Sequence, residues 1–189
     1  MFFGKNQINN LPDILNRYGK NILLAYGGGS IKRNGIYDKV YELLTDFNIV
    51  ELEGIEPNPR IGTVKKGVEL CKTQNIDVIL AVGGGSTIDC SKLVSAATYY
   101  DGNPWDLVKD SSKITKALPI ITILTLAATG SEMNGGGVIS NLETKDKIGR
   151  IDRKLLPKAS FLDPTVTYTV SKYQTACGSA DILNHIMEA

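Results

Sequence analysis

Four short apolar runs, each followed by a segment of helical spacing or a glycine-containing loop, constrain this chain more than any other feature. NILLAYG (21–27), NIVELEG (48–54), DVILAVG (77–83) and PIITILT (119–125) read as strands. Between them, NGIYDKVYELLTDF (34–47) sets Ile36, Val40, Leu43, Leu44 and Phe47 at helical spacing. RIGTVKKGVELCKTQ (60–74) does the same with Ile61, Val64, Val68 and Cys71. STIDCSKLVSAATYY (86–100) is a third helix, with Ser86 as its expected cap. Such alternation with short connections predicts a Rossmann-like α/β fold, a parallel sheet with helices on both faces. The unbroken apolar run of DVILAVG suits a strand covered on both sides.

The rhythm changes after the fourth strand. GGGVISNLETKDKIGRI (135–151) reads as two strands around a polar turn, and ASFLDP (159–164) as a short strand ended by Pro164. From Thr165 onward only helical pattern appears, interrupted at Gly178. This places a domain boundary near Pro164, with 1–164 as an α/β domain and 165–189 as the start of a helical one. The second segment is too short to bury a core of its own, so the chain is expected to be truncated.

Composition narrows the function. Hydrophobic content of 42% with 22% charged residues is that of a globular protein, and a net charge of +1 offers no electrostatic case for nucleic acid or an anionic membrane. MFFGKNQINN has no apolar core of a secretion signal, and no apolar run reaches the length of a membrane span. Cys71, Cys90 and Cys177 are odd in number and far apart. They fit reduced thiols in a cytoplasmic protein better than a disulfide framework or a zinc cluster.

GGGS occurs twice, in AYGGGS (25–30) and AVGGGS (81–86), each time directly after a strand. A glycine turn into a helix start aims free N–H groups at one spot and attracts phosphate there. One copy is equally read as a tight turn; two copies after sheet strands favour a nucleotide site. Neither run matches the standard dinucleotide or P-loop fingerprint. In GGGSTIDCSK, Asp89 can accept a ribose hydroxyl, and Lys92 can neutralise a phosphate or stand as a solvated helix lysine. In GGGSIKR no acid adjoins Ser30, Lys32 and Arg33, which leans toward a 2′-phosphorylated cofactor; the two basic residues also read as a solvated pair. Thr125, Thr129 and Ser131 of LTLAATGSE offer hydroxyls for phosphate or ribose, or cap a helix with Glu132 in its first turn.

The only histidine, His185, follows Asp181 by four positions in SADILNHIMEA. Residues i and i+4 share a helix face, and carboxylate plus imidazole suits zinc or ferrous iron. The spacing equally suits Asp181 as a helix cap and His185 as a solvated or core residue. Glu188 is a weak third ligand, held on a chain end.

Taken together, YGGGSIKRNG, GIEPNPR, LAVGGGSTIDCSK, LTLAATGSE, DKIGR, FLDPT and SADILNHIMEA resemble the iron-containing (group III) alcohol dehydrogenase family, in its butanol dehydrogenase and aldehyde reductase branch. The resemblance implies an amino-terminal domain related to dehydroquinate synthase and glycerol dehydrogenase, followed by an all-helical domain. By position it implies that Gly84, Gly85, Ser86 and Asp89 hold the pyrophosphate and nearby ribose, and that Thr125, Thr129 and Ser131 line the groove. Asn58 would lie near the adenosine end and Lys147 beside the nicotinamide ribose. Gly28, Gly29 and Ser30 would sit where the family separates NAD from NADP, and the missing aspartate there agrees with NADP. Asp181 and His185 would be the first two of four ligands to Fe2+ or Zn2+, the other two histidines lying beyond Ala189.

The implied activity is hydride transfer between NADP (or NAD) and a small-molecule alcohol or aldehyde such as butanol or butanal, in a cytoplasmic homodimer. The chain as given would be catalytically incomplete, with no catalytic residue assigned. The rival readings are a non-catalytic nucleotide-binding module and a glycerol dehydrogenase-like enzyme. The family's different ligand pattern in the latter argues against it. Two departures stand out: Ala127 where the family favours proline, and GRIDRKLL without the aromatic and polar residues expected after DK.

Overall fold

The computed structural model describes residues 1–188, except the side chain of His185. Six strands form one parallel sheet: β1 (Phe2–Phe3), β2 (Asn21–Tyr26), β3 (Asn48–Leu52), β4 (Val78–Gly83), β5 (Ile120–Leu124) and β8 (Ala159–Leu162), in the spatial order β1-β8-β5-β4-β2-β3. Between β5 and β8 the chain forms a separate antiparallel hairpin, β6 (Gly136–Asn141) and β7 (Asp146–Ile151). The helices are α1 (Leu11–Leu15), α2 (Ser30–Arg33), α3 (Ile36–Leu43), α4 (Ile61–Thr73), α5 (Gly85–Ala97), α6 (Pro104–Lys109) and α7 (Lys172–Glu188).

The period-2 alternation of the strands splits the core in two. Ile22, Leu24 and Tyr26 of β2, with Val78, Leu80 and Val82 of β4, pack against Ile14 of α1, Ile31 of α2 and Val40 of α3. Leu23, Ala25 and Ile79 face the other way, against Val64 of α4, Val94 of α5 and Trp105 of α6. Every residue of β2 after Asn21 is buried, as is all of β4 and β5, which is why these segments read as continuous apolar runs.

The crossover from β2 through α2 and α3 to β3 therefore covers one face, while α4 and α5 cover the other. β3 lies on one side of the β2–β4 pair and β5 on the other. The winding reverses between β2 and β4, and in open parallel sheets that reversal opens a ligand crevice beyond the carboxyl ends of the strands. Both GGGS turns sit there.

Several expectations are revised. Ser86 does not cap α5: the helix starts at Gly85 from an extended Gly84 and has no side-chain cap. No α-helix follows TGSE; Ser131–Met133 is one 3-10 turn leading into β6. α7 runs through Gly178 without a break. α1, α2, α6 and β1 have no counterpart in the sequence reading. For α6 the signal was present, because Asn103 caps it, accepting from the Trp105 N–H at 3.1 Å, and Pro104 opens it. Among the described residues no helix is long and apolar enough to cross a membrane.

Candidate cofactor site

Three strand-end turns converge on the crevice. Ser30 after β2, Gly84 after β4 and Thr125 after β5 line one cleft of about 370 Å3, together with Thr169, Ser171 and Gln174. Gly29 takes φ of 87°, a left-handed conformation that favours glycine, and α2 starts from it. Gly28, beside it, has open space around the position of a Cβ. Gly85 is enclosed instead. A Cβ there would lie 2.4 Å from Thr129 Oγ1 and 2.7 Å from its Cγ2. The loop after β5 thus packs onto the start of α5, with Thr129 against Gly85 and Leu126 against Gly84.

A second group forms at the rim. The Asn58 N–H donates to Ser86 Oγ at 3.3 Å, and Lys147 Nζ donates to Asn58 Oδ1 at 2.7 Å. Asn58 sits at φ of 56°, between two prolines. The hairpin brings Lys147 to it: Ser140, which pairs with Lys147 across β6 and β7, donates its N–H to Pro59 O at 2.9 Å. Residues 58, 86 and 147, far apart in sequence, stand within hydrogen-bond distance in series.

Asp89 is anchored more tightly than its expected ribose role requires. Oδ1 accepts from Ser131 Oγ at 2.6 Å and Oδ2 from the Val138 N–H at 2.9 Å. It lines, with Thr129 and Ser131, a larger cleft of about 540 Å3 against the hairpin. A bound ribose would share this carboxylate with the protein. Neither reading of Lys92 survives. The side chain is only 1% exposed, and Nζ donates to Ser131 O (2.7 Å), Ser131 Oγ (2.8 Å), Asn134 Oδ1 (3.3 Å) and Gly136 O (2.6 Å). Burial lowers its pKa to about 8, against the upward pull of Asp89 and Glu132. Lys92 is a cross-brace that ties α5 to the TGSE turn and β6, because desolvating an ammonium demands this many acceptors.

The first glycine turn has an acid after all, supplied from another strand. Glu53, just past β3, stands 3.6 Å from Lys32 Nζ. Below it, Glu51 accepts from Tyr37 at 2.7 Å and Tyr41 at 2.6 Å, and from Tyr26. Burial alone would raise Glu51, but the three hydroxyls hold it below its ordinary value. Burial first, then Glu51, pushes the Tyr26 and Tyr41 phenols up. The sequence signal was an acid at the end of the strand after the glycine turn.

Asp181 lies on α7, nine positions after the helix begins, and is exposed. It is inside the helix, so it is not a cap. The side chain of His185 lies outside the described residues. Among those residues, no group of three His, Cys, Asp or Glu is placed to hold a metal.

Comparison with known proteins gives the class. The family model of iron-containing alcohol dehydrogenases matches residues 1–164. The chain belongs to the iron-containing alcohol dehydrogenase family. Over its whole length it is 57% identical to NADH-dependent butanol dehydrogenase A of Clostridium acetobutylicum and 39% identical to the NADPH-dependent aldehyde reductase YqhD of Escherichia coli, covering 49% of each. The crystal structure of NADH-dependent butanol dehydrogenase A from Thermotoga maritima superposes with a TM-score of 0.93 at 43% identity, covering 99% of this chain and 48% of that one. The chain spans about half the length of the relatives it matches.

Proposed function

We propose that this chain is the dinucleotide-binding part of an NAD(P)-dependent alcohol dehydrogenase or aldehyde reductase, acting on a primary alcohol or aldehyde such as butanol or butanal. The observation that carries this reading is the convergence of Ser30, Gly84 and Thr125 on one crevice at the reversal of the sheet. The N–H groups of Gly84, Gly85 and Ser86, at the start of α5, suit the pyrophosphate. Thr125, Thr129 and Ser131 form the groove wall, and Gly28, Gly29 and Ser30 the adenosine-ribose end. Asn58 and Lys147, already hydrogen-bonded to each other, offer an amide and an ammonium at the rim. Asp89 faces the larger cleft against the hairpin, with Thr129 and Ser131. The dinucleotide supplies the hydride chemistry; these residues bind and orient it. The names of the relatives favour butanol and aldehyde substrates.

In this reading residues 1–164 form the cofactor domain and 165–189 open a helical domain. Asp181 and His185 are this chain's share of a site for Fe2+ or Zn2+. A catalytic zinc takes three protein ligands, so two do not complete it. Three unbridged cysteines support a cytoplasmic setting, and the edge strand β3 supports a homodimer. Titrating the chain with NADH and NADPH tests the reading, together with a butanal assay. Saturable binding with negligible turnover is expected; absence of binding would refute the cofactor site, and brisk butanal reduction would refute the incompleteness.

A further inference from the structure

The first glycine turn has a charged edge built on a rigid base. Tyr26, the last residue of β2, is buried, and its hydroxyl donates to Glu51 and lies 3.1 Å from Glu53 Oε2. Tyr37 and Tyr41 fasten the other oxygen of Glu51. The ammonium of Lys32 lies over the rings of Tyr37 and Tyr26, 4.9 and 5.2 Å from their centroids. The same ammonium meets Glu53 Oε2 at 3.6 Å. The Gly54 N–H donates to Gly27 O at 3.4 Å, so the exit of β3 is tied to the glycine turn itself. Glu53 and Lys32 thus stand together beside the turn of Gly27 to Ser30, whose Ser30 lines the crevice.

A ribose arriving there carries a 2′-hydroxyl or a 2′-phosphate. In doubly wound folds an acid about 20 residues past the glycine turn accepts the hydroxyl, whereas a basic residue accommodates the phosphate. This chain places both at one spot, with the acid 26 positions after Gly27. The acid occupies the base. Glu51, ionised beneath them, adds a second negative charge, so a phosphate dianion would meet Lys32 only against two carboxylates.

We infer that Glu53 is the specificity-determining residue for the dinucleotide: it accepts the 2′-hydroxyl of an unphosphorylated ribose and keeps Lys32 from a 2′-phosphate, so that the chain prefers NADH to NADPH. This rests on reading the crevice as a dinucleotide site. Both side chains are well exposed, 63% for Glu53 and 45% for Lys32, and an exposed pair contributes little to folding. The effect of changing it is therefore read in selectivity.

The test is titration of the chain with NADH and with NADPH, followed by nicotinamide fluorescence, for wild type, Glu53→Gln and Glu53→Gln with Lys32→Gln. Wild type is expected to bind NADH more tightly. Glu53→Gln is expected to move the NADPH-to-NADH affinity ratio toward NADPH by about tenfold, the worth of one charge-assisted hydrogen bond, with an unchanged melting temperature. Adding Lys32→Gln should erase that gain. A wild-type preference for NADPH, or an unchanged ratio in Glu53→Gln, overturns the inference while leaving the cofactor site standing. A wild-type chain that binds neither dinucleotide overturns the site and the inference together.

Discussion

The same four residues, GGGS, occur twice at the crevice and are held in opposite ways. In the first copy, a side chain at Gly28 or Gly29 would meet nothing within 4 Å. Its surroundings are a cage of tyrosines and glutamates, and a lysine held at the rim. In the second copy, a Cβ at Gly83 would lie 2.4 Å from Thr87 Oγ1, one at Gly84 3.4 Å from Leu126, and one at Gly85 2.4 Å from Thr129 Oγ1. At Gly28 and Gly29 the first turn is open and glycine serves conformation; only at Gly27 would a Cβ come close to a neighbour, 3.2 Å from Ile55 O. All three glycines of the second turn serve close approach. The open turn is suited to discriminate between ligands; the clamped turn is suited to hold the part that all such ligands share.

The contrast can be broken most severely at Lys92, which fastens the clamped turn from behind. Lys92→Met would leave the Ser131 and Gly136 carbonyls and the Ser131 hydroxyl without the buried ammonium they now share. It should cost about 3 kcal/mol of stability, measured by urea unfolding. The same residue gives a pH signature. Its folded pKa of about 8 lies below the ordinary 10.5, so between these values the unfolded chain binds more protons than the folded one. Stability from this group is therefore lowest below pH 8 and rises toward pH 10. Wild type should show that rise relative to Lys92→Met when unfolding is followed from pH 7 to 10.

Gly85→Ala comes next. It forces Thr129 and the TGSE loop to shift, at about 2 kcal/mol, and should weaken dinucleotide binding at least tenfold. Its counterpart in the open turn, Gly28→Ala, should change stability by no more than about 0.5 kcal/mol. Equal costs for the two variants would erase the distinction between the turns. The smallest effect concerns the thiols. Burial pushes Cys71 up to about 12 and Cys90 higher still, whereas Cys177 is exposed on α7. A thiol reagent should label Cys177 rapidly and the other two only on unfolding.

Local pattern made the layered architecture legible. The apolar runs and helical spacings are set by the faces they bury, so the strands β2, β3, β4, β5 and β8 and the helices α3, α4 and α5 could be read from residues near each other in sequence. The crevice was legible for the same reason, as a glycine turn after a strand has a local cause. Lys92 was misread because its acceptors lie 39 to 44 positions away, in a turn and a hairpin whose docking no spacing reveals. Glu53 was overlooked because it reaches Lys32 only once β3 pairs with β2. Asn58 and Lys147 were identified by resemblance, while their mutual hydrogen bond depends on the hairpin folding over the EPNPR loop. α1 and β1 were missed because five and two residues are too short for a periodic pattern.

The central claim is that a nicotinamide dinucleotide binds across the β2–β4 crevice, with its pyrophosphate on the clamped turn. Calorimetric titration of NADH into wild type, Gly28→Ala and Gly85→Ala tests it most directly, with circular dichroism confirming that each is folded. Saturable one-site binding is expected in wild type, weakened at least tenfold in Gly85→Ala. Folded Gly85→Ala that binds NADH as well as wild type does would contradict the claim.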